Sequence, residues 1–200
     1  MVKMLLGSNN AGKLGEIQAL LEGYAIEVLT PVVLGINLDV IEDGVTYAEN
    51  AARKAMAFAH LSGLVTLADD SGLEVDVLDG APGLYSARFS TKPGATDADR
   101  RAYILQRLQG KPCPWVARFH CTVALATPAG QVFFSEGTCP GEIISEEHGH
   151  NGFGYDPIFW LPEFGRTMAE LSMTEKNNLS HRGRAVKAAI PRMLKILALS

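Results

Sequence analysis

The chain has 200 residues, 47% of them hydrophobic and 20% charged, with a net charge of -4 at pH 7. That is enough apolar material for one sizeable core without covalent staples, and it excludes a nonspecific grip on nucleic acid, which relies on an excess of Lys and Arg. Three cysteines, Cys113, Cys121 and Cys139, are odd in number and show no C-x-x-C spacing, so neither a disulfide framework nor a zinc site is indicated. The N-terminal MVKMLLGSNN is too short an apolar run for a signal peptide, and no segment approaches the ~20 apolar residues of a membrane span. The expected setting is the cytoplasm, with no membrane or nucleic-acid partner.

In chain order, Val2 to Gly7 reads as a strand, and Leu14, Ile17, Leu20 and Leu21 then recur at helical spacing. Ala25 to Leu29 is a second strand. Thr46-Tyr47-Ala48-Glu49 matches a capping box and opens a helix whose expected buried face is Ala52, Ala55, Met56 and Ala59. Leu64 to Ala68 reads as a strand ending at Asp69 and Asp70, turned by Ser71-Gly72, with Val75 to Leu78 pairing beside it. Asp97 to Leu108 is helical, with Tyr103, Ile104 and Leu108 apolar. Strands at Arg118 to Ala126 and Val132 to Glu136 are joined by the turn Thr127-Pro128-Ala129-Gly130. From Ser180 the pattern is helical, and Pro191 is expected to kink or restart it. Strand and helix patterns alternate throughout, which is the signature of an α/β domain.

Three segments carry chemical signals. Two adjacent carboxylates beyond an apolar strand suggest a divalent cation, because ligands of α/β sheets collect at the carboxyl ends of strands; an Asp in that place also serves as an ordinary turn cap. GSNNAGKL, residues 7 to 14, has the spacing G-x-x-x-x-G-K of a P-loop, but Leu14 stands where Ser or Thr should meet magnesium. A helix N-terminus with a lysine still makes a phosphate cradle, and the competing reading is an Asn-Gly turn with a surface lysine. In HNGFGYDPIF, Gly152 and Gly154 permit close backbone approach around Phe153, whose ring can stack on a base, while Asp156 can accept from base N–H groups. The plainer alternative is a glycine-rich corner with a core aromatic, and Lys176, His181 and Arg182 read equally as a solvated helix end capped by Ser180.

Together the strings SNNAGK (8–13), GVTYAENA (44–51), ADDSGLEVDVLDGAPGLYSAR (68–88), RFHC (118–121), GFGYDPIF (152–159) and AELSMTEKNNLSHR (169–182) resemble the inosine triphosphate pyrophosphatase family. The resemblance runs from residue 3 to about 187. It implies a single α/β domain over 1–200, elongated, with a long mixed β-sheet flanked by helices, a cleft between two lobes and a homodimeric assembly. It also implies Mg2+-dependent hydrolysis of ITP, dITP and XTP to the monophosphate and pyrophosphate. By the same resemblance Ser8, Asn9, Asn10, Ala11, Gly12 and Lys13 correspond to the phosphate loop, Asp70 to the catalytic base and a metal ligand, and Ser71 to a substrate contact. Phe153, Gly154, Tyr155, Asp156, Lys176, His181 and Arg182 match the base and nucleotide pocket, with His181 and Arg182 as donors to a 6-oxo purine. Glu42 corresponds to a second metal ligand, with Asp43 and Asp39 as rivals. The alternatives are a P-loop NTPase or kinase, with 64–70 as its second acidic strand, and a nonenzymatic nucleotide sensor.

Overall fold

In the computed structural model residues 1–199 are described, and among them the strands form one sheet. The strands are β1 (Val2–Leu6), β2 (Ile26–Leu29), β3 (Thr66–Val75), β4 (Trp115–Ala126), β5 (Val132–Ile143), β6 (Phe159–Leu161) and β7 (Arg166–Thr167). They are ordered β2-β1-β3-β4-β5-β6-β7. Pairing is parallel for β1 with β2 and with β3, and antiparallel for β5 with β6 and β6 with β7, so the sheet is mixed. The helices are α1 (Ala11–Leu20), α2 (Tyr47–Ser62), α3 (Asp97–Leu108), α4 (Met173–Leu179) and α5 (His181–Ile196).

The described chain divides into two compact units. The first comprises residues 1–70, 121–137 and 181 onward; the second comprises 71–120 and 138–180. In the first unit α1 and α5 cover one face of the sheet, burying Met4, Leu6, Leu67, Cys121, Val123 and Leu125 against Ile17, Val186, Ile190 and Met193. On another face α2 meets β3 and β4 through a layer of alanines, Ala51, Ala55 and Ala59 against Ala68, Ala124 and Ala126, while Phe58 packs on Leu5 and Leu29 of β1 and β2. Small side chains on both surfaces let helix and sheet approach closely. The core of the second unit gathers Leu73, Val75, Ile104, Leu108, Phe119, Phe159 and Met168, among others.

Several local expectations hold. Helix α3 runs over 97–108 behind a complete Thr96/Asp99 capping box, and the 127–131 turn joins β4 to β5, closed by Thr127 N–H donating to the Gln131 carbonyl. Three differ. Ser71-Gly72 does not end a strand: β3 continues through Asp69 and Asp70 to Val75, because Leu73 and Val75 are buried in the second unit's core and cross-strand pairing overrides the turn preference. Val75 to Leu78 is accordingly not a separate strand, since 76–78 is a short 3-10 turn. The chain reverses at Asp79-Gly80, both with positive φ.

The buried face of α2 is Asn50, Ala51, Lys54, Ala55, Phe58 and Ala59, rotated from the expected one and leaving Met56 exposed. Thr46 does cap Glu49, but the Glu49 carboxylate reaches back to the Val45 N–H. Helix α5 passes through Pro191 without ending, because Ala189, Ile190, Met193 and the residues around them are held in the core and outweigh one lost backbone hydrogen bond.

Candidate active site

The loop after β1 is drawn tightly under the fold. A Cβ on Gly7 would stand 3.1 Å from the Phe58 ring and 3.2 Å from Ala68 Cβ, so any larger residue would push α2 and β3 back from the point where β1 leaves the sheet. Asn10 then caps α1, its side chain accepting from the Lys13 N–H at 3.1 Å, while the Asn10 N–H donates to Ser8 Oγ. Residues 8 to 13 thus surround a helix N-terminus, where the backbone dipole favours anions. Leu14, the residue that departs from a P-loop, packs against the α1–α5 core.

Strand β3 runs past the end of β1: Leu6 pairs with Leu67, so Asp69 and Asp70 lie beyond it. Successive side chains of a strand point to opposite faces, and the two neighbours accordingly have different partners. Asp69 faces α1 and α5. Its Oδ2 accepts from Lys13 Nζ at 3.0 Å and from Arg182 Nε at 3.1 Å, with the Cys121 thiol at 3.9 Å. Arg182, 2% exposed, donates a further bond from Nη1 to Glu16 Oε2 at 2.6 Å. Burial would raise the Asp69 pKa, but Lys13, Arg182 and Lys54 outweigh it and hold the carboxyl far below the usual carboxylate range. This is a permanently ionised, internally neutralised group.

Asp70 faces α2. Asn50 donates to its Oδ2 at 2.9 Å, and Lys54 Nζ stands 4.0 Å from its Oδ1 and 3.1 Å from Glu42 Oε2. Burial pushes the Asp70 pKa up; Lys54 and Asn50 only partly offset this, and Glu42 adds to it. Asp43 is turned to Arg53 instead, in an exposed pair, and Asp39 is exposed. No group of three or more His, Cys, Asp or Glu side chains converges as a self-sufficient metal cage among the described residues. Two carboxylates approached by one ammonium do fit Mg2+, which is commonly held by one or two carboxylates and completed by water and substrate phosphates.

The remaining expected residues lie in the second unit, except His181 and Arg182. Asp156 Oδ2 accepts from the Phe153 N–H at 2.9 Å and from Lys176 Nζ at 2.6 Å, so this carboxylate closes the 153–156 turn on a buried ion pair. Gly152 has φ +76°, and a Cβ there would collide with the Asp156 carboxylate. The Lys176 ammonium lies 4.9 Å from the Phe153 ring centroid, within cation–π range. Gly154 is held from both sides, its N–H donating to Asp97 and its carbonyl accepting from Arg101, each at 2.8 Å. The Tyr155 hydroxyl donates to the Ser86 carbonyl, leaving the ring buried. Ser71 is half-buried on β3, next to Asp70 in the chain. His181 and Arg182 are buried in the first turn of α5 rather than forming a solvated helix end.

Glu16, Asn50, Lys54 and the pairing of Asp69 escape a reading of the sequence alone. One signal was available for two of them: Asn50 and Lys54 are four apart on a helix face otherwise built from Ala51, Ala55, Phe58 and Ala59, and a polar pair on an apolar stripe requires partners.

In sum, this is an α/β protein whose cations and acids gather where a parallel strand ends. The model of the Ham1 family matches residues 4–192, and the chain belongs to that family. A Desulforamulus reducens protein named dITP/XTP pyrophosphatase is 46% identical over 190 residues, covering 94% of each chain. A Listeria innocua protein of the same name is 45% identical over 188 residues, 94% of this chain and 92% of its own. The structure of a HAM1 protein from Coxiella burnetii superposes with a TM-score of 0.87 at 40% identity, over 98% of this chain and 100% of that one. A nucleoside-triphosphatase / dITP/XTP pyrophosphatase from Mycobacterium abscessus gives 0.73 at 40% identity, over 94% and 99%.

Proposed function

We propose that the chain, acting as one nucleoside triphosphate pyrophosphatase domain over residues 1–200, hydrolyses non-standard purine nucleoside triphosphates (ITP, dITP and XTP) to the monophosphate and pyrophosphate with Mg2+. The observation that carries this reading is Asp70, a buried carboxylate of raised pKa that shares one ammonium with Glu42, in a chain of the same family and nearly the same length as proteins named dITP/XTP pyrophosphatase. The P-loop alternative has no support: the family is another one, and Leu14 belongs to the core.

Glu42 and Asp70 would hold the ion, which when bound neutralises phosphate charge and polarises a phosphoryl oxygen. Asp70 orients water and accepts its proton; a pKa raised by burial makes it a stronger base than a solvated carboxylate, and Asn50 fixes the plane of the group. Ser8, Asn9, Asn10, Ala11 and Gly12 meet phosphate at the α1 N-terminus, and Lys13 supplies the positive charge that grows in value as charge develops on the transferring group. Ser71 is a further substrate contact. Phe153, Gly154, Tyr155, Asp156 and Lys176 are assigned to base and sugar.

A purine with an acceptor oxygen at position 6 is favoured over adenine by a pocket of fixed donors. His181, Arg182 and the neighbouring N–H groups of α5 are the donors proposed, with the Arg182 guanidinium held in place by Asp69 and Glu16. The reading also takes the protein to be a cytoplasmic homodimer without nucleic-acid or membrane partners. In support, no helix among the described residues is long and apolar enough to cross a membrane, and the net charge is -4.

Incubation of ITP and Mg2+ with the protein should yield IMP and pyrophosphate. Release of orthophosphate, or of nothing, overturns the reading. In the same assay Lys13→Ala should lower kcat/KM for ITP by roughly ten- to a hundredfold, since a charge-assisted contact is worth about 1.5–3 kcal/mol. An unchanged value would confine Lys13 to its ion pair with Asp69.

A further inference from the structure

We propose that Lys54 is a built-in counter-cation: it holds the place of the divalent ion between Glu42 and Asp70 and leaves it only when a phosphate oxygen can receive its ammonium, so that metal and nucleotide bind as a pair. This rests on the functional reading above and adds to it a residue and a rule of binding.

Lys54 stands on the apolar face of α2, 9% exposed, four residues after Asn50 and next to Ala55 of the alanine layer. A buried ammonium is unfavourable unless anionic partners compensate it, and its partners here are Glu42 Oε2 at 3.1 Å and Asp70 Oδ1 at 4.0 Å. One ammonium thus lies within 4.0 Å of both carboxylates, and without a cation between them the two negative groups would repel. Lys54 removes that repulsion in the metal-free protein. A divalent ion that takes the same carboxylates cannot share them with an ammonium a few ångströms away, because the two cations repel strongly outside bulk water.

Lys54 must therefore withdraw when the ion arrives, and where it goes decides the cost. With no anion at hand it would be left buried and unpaired, and metal binding alone is weak. With a triphosphate present its flexible four-carbon stem can transfer the ammonium to a phosphate oxygen, and the exchange costs little. Metal strengthens nucleotide binding and nucleotide strengthens metal binding by the same factor. A lysine that merely braced α2 would not change its surroundings when metal and phosphate bind together.

The test is calorimetric titration of Mg2+ into the nucleotide-free wild-type, Lys54→Met and Lys54→Arg proteins, each checked for native circular dichroism. Lys54→Met, which keeps bulk but not charge, should bind Mg2+ at least about tenfold more tightly than the wild type, while its KM for ITP rises. Lys54→Arg, which keeps the charge, should leave Mg2+ affinity near the wild-type value. If Lys54→Met binds Mg2+ no better than the wild type, the proposal fails. Should Lys54→Met not fold, the 13Cε resonance of Lys54 in the wild-type protein decides: a shift on joint addition of Mg2+ and inorganic pyrophosphate supports the exchange, and an unmoved signal overturns it. A wild-type protein that releases no pyrophosphate from ITP defeats the functional reading, whereas an active one whose Lys54→Met variant gains no Mg2+ affinity defeats this inference alone.

Discussion

Asp70→Asn is expected to lower kcat for pyrophosphate release from ITP by about 10²–10⁴-fold, the range that loss of a positioned general base typically costs, while leaving the fold intact. Asparagine matches the shape of the side chain and can still accept from Asn50 Nδ2, but it cannot take a proton from water or carry charge to a cation. Stability should not follow activity. The folded-state pKa of Asp70 is raised, so its favourable contribution is present at low pH and is lost as pH rises through that value. At neutral pH the ionised group is a burden on the metal-free protein, and Asn removes it. The melting temperature should therefore hold or rise as activity falls. Near-normal turnover by a folded Asp70→Asn protein in saturating Mg2+ would remove Asp70 from the chemistry.

Arg182→Ala is expected to have the largest effect on stability. The guanidinium lies between Glu16 and Asp69, with both side chains of each ion pair 2% exposed or less. Removing one partner of a buried ion pair costs about 3–5 kcal/mol because an uncompensated charge remains, and here two carboxylates are affected. Asp69 has little in reserve, since its Oδ1 is buried without a hydrogen-bond partner. In a protein of this size the loss corresponds to a fall in melting temperature of roughly 10 °C. Adding Glu16→Gln to Arg182→Ala should recover part of it by removing one stranded charge. A single variant melting within about 2 °C of the wild type would show that the network is not holding α5 to the sheet.

The parts of the fold legible in the sequence were those written locally. Helix α3 spans Asp97 to Leu108 as its apolar spacing predicts, and Thr127-Pro128-Ala129-Gly130 turns β4 into β5. What was not legible was decided by distant packing. Ser71-Gly72 has the composition of a turn, yet burial of Leu73 and Val75 makes it part of a strand. The α2 periodicity admits two faces, and Phe58, which meets Leu5 and Leu29, selects the one that sequence spacing did not. The candidate site divides the same way. Asp70, Glu42 and Lys13 stand in short recognisable strings, whereas the partners of Arg182 are 113 and 166 positions away. Nothing near residue 182 announces that its charge is spoken for.

The alanine layer between α2 and the sheet acts as a spacer of fixed thickness. Ala51, Ala55 and Ala59 against Ala68, Ala124 and Ala126 make it about as thin as two surfaces with side chains allow, and Asn50 and Lys54 reach Asp70 from the helix it supports. A side chain reaching across that gap has little slack. Enlarging Ala124 to valine, on the strand two removed from β1 and with no charged group of its own, would act as a shim, lifting the helix and stretching contacts to which it contributes no atom. Turnover is therefore expected to respond to buried methyl groups that never meet water, phosphate or metal, which makes apolar variation in β3 and β4 a calibration of the chemistry above it.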